Sequence, residues 1–163
     1  MKKRTATLAL IVKKSNHVLL GRRARKGADV AENNYNGPGG KLKPGQTLYE
    51  CLQEEMFDEV GITIPSDGAE EVAVITFHNG ITSEWTVHVY LVRKWEGEPK
   101  SSDEMVEPEE GWWHKIDALP FHRMLASDQQ WLPLALSGKR FHLDVFQNDD
   151  ASELLGPLKF HFF

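Results

Sequence analysis

A chain of 163 residues, 40% hydrophobic and 26% charged, has the composition of one folded domain spanning 1–163 and excludes disordered, collagen-like or disulfide-built scaffolds. Acidic residues outnumber basic ones 24 to 19, for a formal charge of -5, so neither a nucleic-acid polymer nor an anionic membrane is an expected partner. The lone cysteine, Cys51, allows no internal disulfide, and neither a secretory leader nor a run of roughly 18 to 20 apolar residues is present; a cytoplasmic monomer is expected.

In chain order, residues 5–12 are apolar and rich in branched side chains, 13–16 are polar, and 18–20 are apolar again, which predicts a hairpin. Residues 21–40 have loop composition, with glycines, the cations Arg22, Arg23, Arg25 and Lys26, and the polar cluster Glu32, Asn33 and Asn34. A structureless stretch that long is expected to serve function. Thr47 and Glu50 form a capping box, and Leu48, Leu52, Met56 and Val60 recur every four residues before Gly61, so a helix is predicted over 48–60. Strands are predicted at 62–64, 72–77 and 86–92, a turn at 117–119, and a second helix over 128–136 with Trp131, Leu134 and Ala135 as its apolar side. With no internal repeat or linker, the pattern is that of a single α+β unit.

Charge is unevenly spread. Between Lys43 and Arg93 there is no lysine or arginine, whereas Glu50, Glu54, Glu55, Asp58, Glu59, Asp67, Glu70, Glu71 and Glu84 all fall there. On a helix, Glu55, Asp58 and Glu59 converge on one face. Asp58 and Glu59 also sit in the last turn, where the helix dipole costs about 0.3 to 1 kcal/mol per misplaced charge. A hard divalent cation such as magnesium or manganese would relieve this repulsion. A solvated acidic face is the other reading of such a helix. The turn Asn36-Gly37-Pro38-Gly39-Gly40-Lys41 immediately upstream favours the cation.

Together the segment reads Gly40-x5-Gln46-x7-Glu54-Glu55-Met56-x-Asp58-Glu59-x-Gly61-Ile62. It resembles the Nudix box of the Nudix hydrolase family, a loop, helix and loop that bind divalent metal and cleave nucleoside diphosphates linked to another group. The resemblance implies a Nudix fold, a mixed β-sheet sandwiched between α-helices. It also implies metal ligation by Glu55, Asp58, Glu59 and the Gly40 carbonyl, with Asp58 reaching the ion through water because it is one methylene shorter than the family glutamate. Gln46 stands where the family has glutamate, and Glu54 where it has the arginine that orients and neutralises the acids. The Gln46 amide could donate to the Glu54 carboxylate, reversing the polarity of the family contact.

Over 5–147 the chain resembles the MutT homologue group, which hydrolyses oxidised purine nucleoside triphosphates. The shared strings are Val18-Leu19-Leu20-Gly21, Asn36-Gly37, Val87-His88-Val89, Ser102-Asp103-Glu104-Met105, Pro120-Phe121, and Trp131 with Pro133-Leu134. The resemblance implies that Asn36 and Asp128 read the purine edge, that Phe77 and Trp131 wall the pocket, that Thr7 and Arg23 also contact substrate, Arg23 near the phosphates, and that Glu104 serves the metal site. Taken without the resemblance, Trp131 reads as a core residue, Asp128 as an N-cap and the two arginines as solvent contacts. The group's pocket tryptophan and first aspartate correspond here to Leu125 and Ser127, which implies a weaker preference for oxidised guanine. Glu107 to Glu110 is an insertion.

The implied reaction is magnesium-assisted attack of water on a nucleoside triphosphate such as 8-oxo-dGTP, giving monophosphate and pyrophosphate and sanitising the nucleotide pool. Glu59 is the first candidate for base or ligand, with Glu104 and Glu55 beside it; sequence does not separate ligation from proton transfer. The alternatives are cleavage of a nucleoside diphosphate sugar or dinucleotide, and a nucleotide-binding module that does not hydrolyse.

Overall fold

The opening strand is long because residues of both its faces find a hydrophobic partner. β1 (Lys2–Lys13) sends Ala9 and Ile11 to one side of the sheet and Leu8 and Leu10 to the other. This period-two division is what a strand covered on both faces produces. The computed structural model describes residues 1–24 and 33–163.

The expected hairpin is present: β1 turns at Asn16 (φ 65°) and pairs antiparallel with β2 (His17–Leu19). The expected loop over 21–40 differs. Its flanks form β3 (Gly21–Arg23), β4 (Tyr35–Asn36) and β5 (Gly39–Lys41), while Arg25, Lys26 and Glu32 lie outside the described residues. The pieces are too short for a periodic signal and are recruited by partners distant in sequence. β5 lies against β1 through Leu8↔Gly39 and Thr7↔Gly40, and β3 pairs with both β4 and β8 (Met105–Val106).

Helix α1 (Leu48–Val60) has the predicted bounds, with both capping-box hydrogen bonds at Thr47 and Glu50 and Gly61 in the left-handed region at φ 72°. Residues 62–64 form no strand. Ile62 and Ile64 are buried, but Thr63 makes only an isolated bridge to Glu96. β6 (Ala69–Asn79) and β7 (Ser83–Val92) extend the two predicted strands, with an irregularity between Glu71 and Ala73. The predicted turn at 117–119 is a 3-10 turn over Ile116–Ala118, and α2 (Asp128–Leu136) has its predicted bounds. Three further strands complete the sheet: β9 (Trp113–Lys115), β10 (Phe141–Gln147) and β11 (Lys159–Phe162).

The main sheet runs β11-β10-β6-β7-β1-β2-β9, with β5 beside β1; β4-β3-β8 is a separate small sheet. It is mixed, since β1 lies parallel to β7 and β10 parallel to β6, while β6 and β7 are antiparallel. Each face carries one helix. On one side Leu52, Met56 and Val60 of α1 pack with Ala9, Ile11, Tyr90 and Val92. On the other, Trp131, Leu132 and Ala135 of α2 pack with Leu8, Leu10, Ile75 and Phe141. Leu52 and Met56 are fully buried, and each such side chain contributes about 1.5 to 3 kcal/mol relative to exposure. The result is the α/β/α sandwich the sequence implied.

Candidate active site

The site forms where the glycine turn crosses the end of α1. Pro38 accepts from the Ala9 N–H at 2.8 Å, and Asn36 Oδ1 accepts from the Gly37 N–H at 2.9 Å, so the turn is held on β1 by its own backbone. At Gly40 an added Cβ would lie 2.5 Å from the Glu55 carboxyl carbon. Glycine here leaves room for an acid to lie over the main chain.

Glu59, 1% exposed, accepts from the Gly39 N–H through Oε1 at 3.0 Å and from Arg23 Nη1 through Oε2 at 2.7 Å. Glu104 enters from the segment before β8. Ser102 Oγ accepts from the Glu104 and Met105 amides, and the Glu104 carbonyl accepts from the Ala24 N–H at 3.0 Å. Glu55, Glu59 and Glu104 each offer a carboxylate oxygen, and these atoms lie within 4.8 Å of one another.

Burial pushes the Glu59 carboxyl up to about 7 against the opposing pull of Arg23, with the Glu104 contact adding to the rise. Glu55 is raised as well, by burial first and then by the charges of Glu104 and Glu54. Three carboxylates drawn together, two of them raised by burial, fit a hard divalent cation, which prefers clustered oxygen donors and would favour the charged forms of Glu55 and Glu59.

Asp58 is the exception in the expected ligand set. It is exposed and outside the group formed by Glu55, Glu59 and Glu104. The Gly40 carbonyl faces Cys51, whose Sγ lies 3.5 Å from it and 3.3 Å from Thr7 Oγ1. Thr7 is thus buried toward α1, on the opposite side of the sheet from α2, and its hydroxyl is engaged with a thiol. Cys51 had no site role in the sequence reading, although it lies one helical turn before Glu55. Burial pushes its thiol up from the ordinary value.

The other expected substrate residues divide between two places. Phe77 packs against the α2-side core to which Trp131 belongs. Asp128 is 4% exposed, accepts from the Leu125 N–H at 3.2 Å, and is pushed up to about 7 by burial. It is the first residue of α2 rather than its N-cap, which is Ser127. Asn36 is half-buried in β4 beside the glycine turn. Arg22 donates to Asn33 Oδ1 at 3.0 Å, and Arg23 is bonded to Glu59 and to the Gly37 and Gly39 carbonyls.

The stretch from β1 to the end of α2 corresponds to a known unit: residues 2–135 match the NUDIX domain. The chain belongs to the Nudix family. Among similar proteins, the oxidized purine nucleoside triphosphate hydrolase of Danio rerio is 38% identical over 136 residues, 83% of this chain and 81% of that protein. The 8-oxo-dGTP diphosphatase of Escherichia coli K12 is 33% identical over 99 residues, 61% of this chain and 73% of that protein. The fold is shared with the mutator MutT protein of Bacillus halodurans at a TM-score of 0.77, with 24% identity and coverage of 96% and 97% of the two chains. As a Nudix hydrolase, the chain places Glu55 and Glu59 inside the family's loop-helix-loop and recruits Glu104 from outside it. No helix among the described residues is long and apolar enough to cross a membrane.

Proposed function

We propose that this Nudix hydrolase cleaves purine nucleoside triphosphates, including oxidised forms such as 8-oxo-dGTP, to the monophosphate and pyrophosphate with magnesium, or manganese in its place. It would act as a cytoplasmic, monomeric, single-domain enzyme that sanitises the nucleotide pool. The observation carrying this reading is the convergence of Glu55, Glu59 and Glu104 beside the Gly39-Gly40 turn. The names carried by the Danio rerio and Escherichia coli relatives support the substrate class.

Glu55, Glu59 and Glu104 would hold the ion, with Asp58 reaching it through water and the Gly40 carbonyl as a further donor. A bound cation would offset charge on the polyphosphate and lower the pKa of water. Glu59 is the first candidate to accept the proton of the attacking water and Glu104 the second, Glu55 serving as ligand. Proton transfer suits a carboxyl whose environment holds it near neutrality. On the α2 side, Asp128 is protonated below about 7 and can donate to a purine acceptor. Asn36 would supply an amide from the glycine-turn side, while the half-buried Phe77 offers a flat apolar face and Trp131, 3% exposed, backs that wall from the core. Leu125 and Ser127 remove an indole and a carboxyl from that surface, which lowers discrimination for oxidised guanine.

The test is magnesium-dependent turnover across canonical and oxidised purine and pyrimidine triphosphates, nucleoside diphosphate sugars and dinucleotides. Pyrophosphate release with a purine preference is expected. Preferential cleavage of a sugar or dinucleotide substrate, or tight nucleotide binding without product over hours, would overturn the proposal.

A further inference from the structure

Both oxygens of Glu59 are already engaged by the protein's own donors. The Gly39 N–H holds Oε1 at 3.0 Å and Arg23 Nη1 holds Oε2 at 2.7 Å. The second nitrogen of the guanidinium, Nη2, donates to the Gly39 carbonyl at 3.1 Å and to the Gly37 carbonyl at 3.4 Å. One planar group therefore joins β3, the glycine turn and the last turn of α1, and the side chains of Arg23 and Glu59 are 11% and 2% exposed. A rigid fork of donors fixes an acceptor's direction as well as its distance, which a single ammonium does not.

Within the box, the position corresponding to the orienting arginine holds Glu54, and its carboxylate is turned away to Lys43 and Gln46. We infer that Arg23 is the positioning residue for Glu59, setting the direction of this buried carboxylate from β3 and so doing from outside the box what Glu54 cannot do from within it. The inference rests on the proposed hydrolysis only for its consequence in turnover. The contact itself does not depend on that reading.

The direct test is amide hydrogen exchange by NMR on the full-length, metal-free protein, comparing wild type with Arg23→Met and Arg23→Lys. Exchange at Gly39, whose N–H depends on Glu59 Oε1, should accelerate at least about tenfold in Arg23→Met, while Ala9, bonded to Pro38, stays protected. Arg23→Lys should be intermediate, because an ammonium reaches Oε2 but cannot bridge to the carbonyls. If Arg23→Met loosens both amides, Arg23→Lys decides: selective acceleration at Gly39 supports the assignment, and wild-type protection there overturns it. In turnover, kcat should fall about 100-fold in Arg23→Met with KM within about threefold, and Arg23→Lys should recover part of the loss. A raised KM at unchanged kcat would make Arg23 a phosphate contact and overturn the inference, as would unchanged Gly39 exchange. Wild type that turns over no nucleotide would refute the proposed hydrolysis, while the exchange comparison would still decide Arg23.

Discussion

The Gln46 side-chain amide donates to Glu54 Oε2 at 3.3 Å, and the other oxygen of that carboxylate is paired with Lys43. An acid in the arginine position of a Nudix box is thereby accommodated by reversing its neighbour, the arrangement the sequence had suggested. Part of the charge in the run without cations from 44 to 92 is likewise met by tertiary partners: Arg23 on Glu59, Lys94 on Asp67 and Arg140 on Glu70.

Because Glu54 already has its partners, restoring the usual pair should not accelerate the enzyme. Glu54→Arg alone is expected to lower stability, since it sets two cations together at Lys43. Adding Gln46→Glu should recover most of that loss, with a coupling of about 0.5 to 1 kcal/mol, the scale for a half-exposed pair. A urea-unfolding double-mutant cycle measures this, and no coupling would mean that the two side chains act independently. Faster turnover in either variant would show that Glu54 is a handicap.

Glu59→Gln should reduce magnesium-dependent pyrophosphate release by at least about 100-fold while keeping the fold, because the amide oxygen can still accept from the Gly39 N–H. The amide nitrogen would then face Arg23 Nη1, donor against donor, so a modest fall in the unfolding midpoint is expected. Retained turnover would remove Glu59 from the chemistry.

Gly40→Ala separates site from scaffold. The added methyl would meet the Glu55 carboxyl, the far end of a flexible side chain, so stability should change by less than about 1 kcal/mol while the acid is driven off its position. Manganese affinity, followed by the EPR signal of the free ion, should drop at least about tenfold. Wild-type affinity would show that Glu55 is not needed where it lies.

Asp128 gives the metal-free protein a pH dependence. Its carboxyl rises from an ordinary 3.8 to about 7, so between these values the folded state holds a proton that the unfolded state has lost. Stability must therefore fall as pH rises through this window, by at most about 4 kcal/mol at 1.36 kcal/mol per pH unit. Glu59 titrates in the same sense, so Asp128→Asn should flatten the decline without abolishing it. Urea unfolding at several pH values between 4 and 8 checks this; equal slopes in the two proteins would contradict a neutral, buried Asp128.

The sequence by itself determined the elements whose signals are local. Helix α1 was legible to the residue because Thr47, Glu50 and Gly61 are chemical start and stop marks within one segment, and α2 and the strands around 72–77 and 86–92 had clear periods. Glu55 and Glu59 could be nominated because helical spacing places them together without knowledge of the rest of the chain. Only the tertiary structure decided what depends on distant partners. The short strands at the glycine turn exist because β1 and β8 lie beside them; β10 differs, since Phe141, Leu143 and Val145 alternate plainly and are a local signal from which a strand could have been predicted. The tertiary structure also left Asp58 outside the acidic cluster, turned Thr7 toward Cys51 and set Arg23 on Glu59. Those outcomes depend on which strand faces which helix, and a side chain's partner across the fold carries no periodic trace in the chain that encodes it.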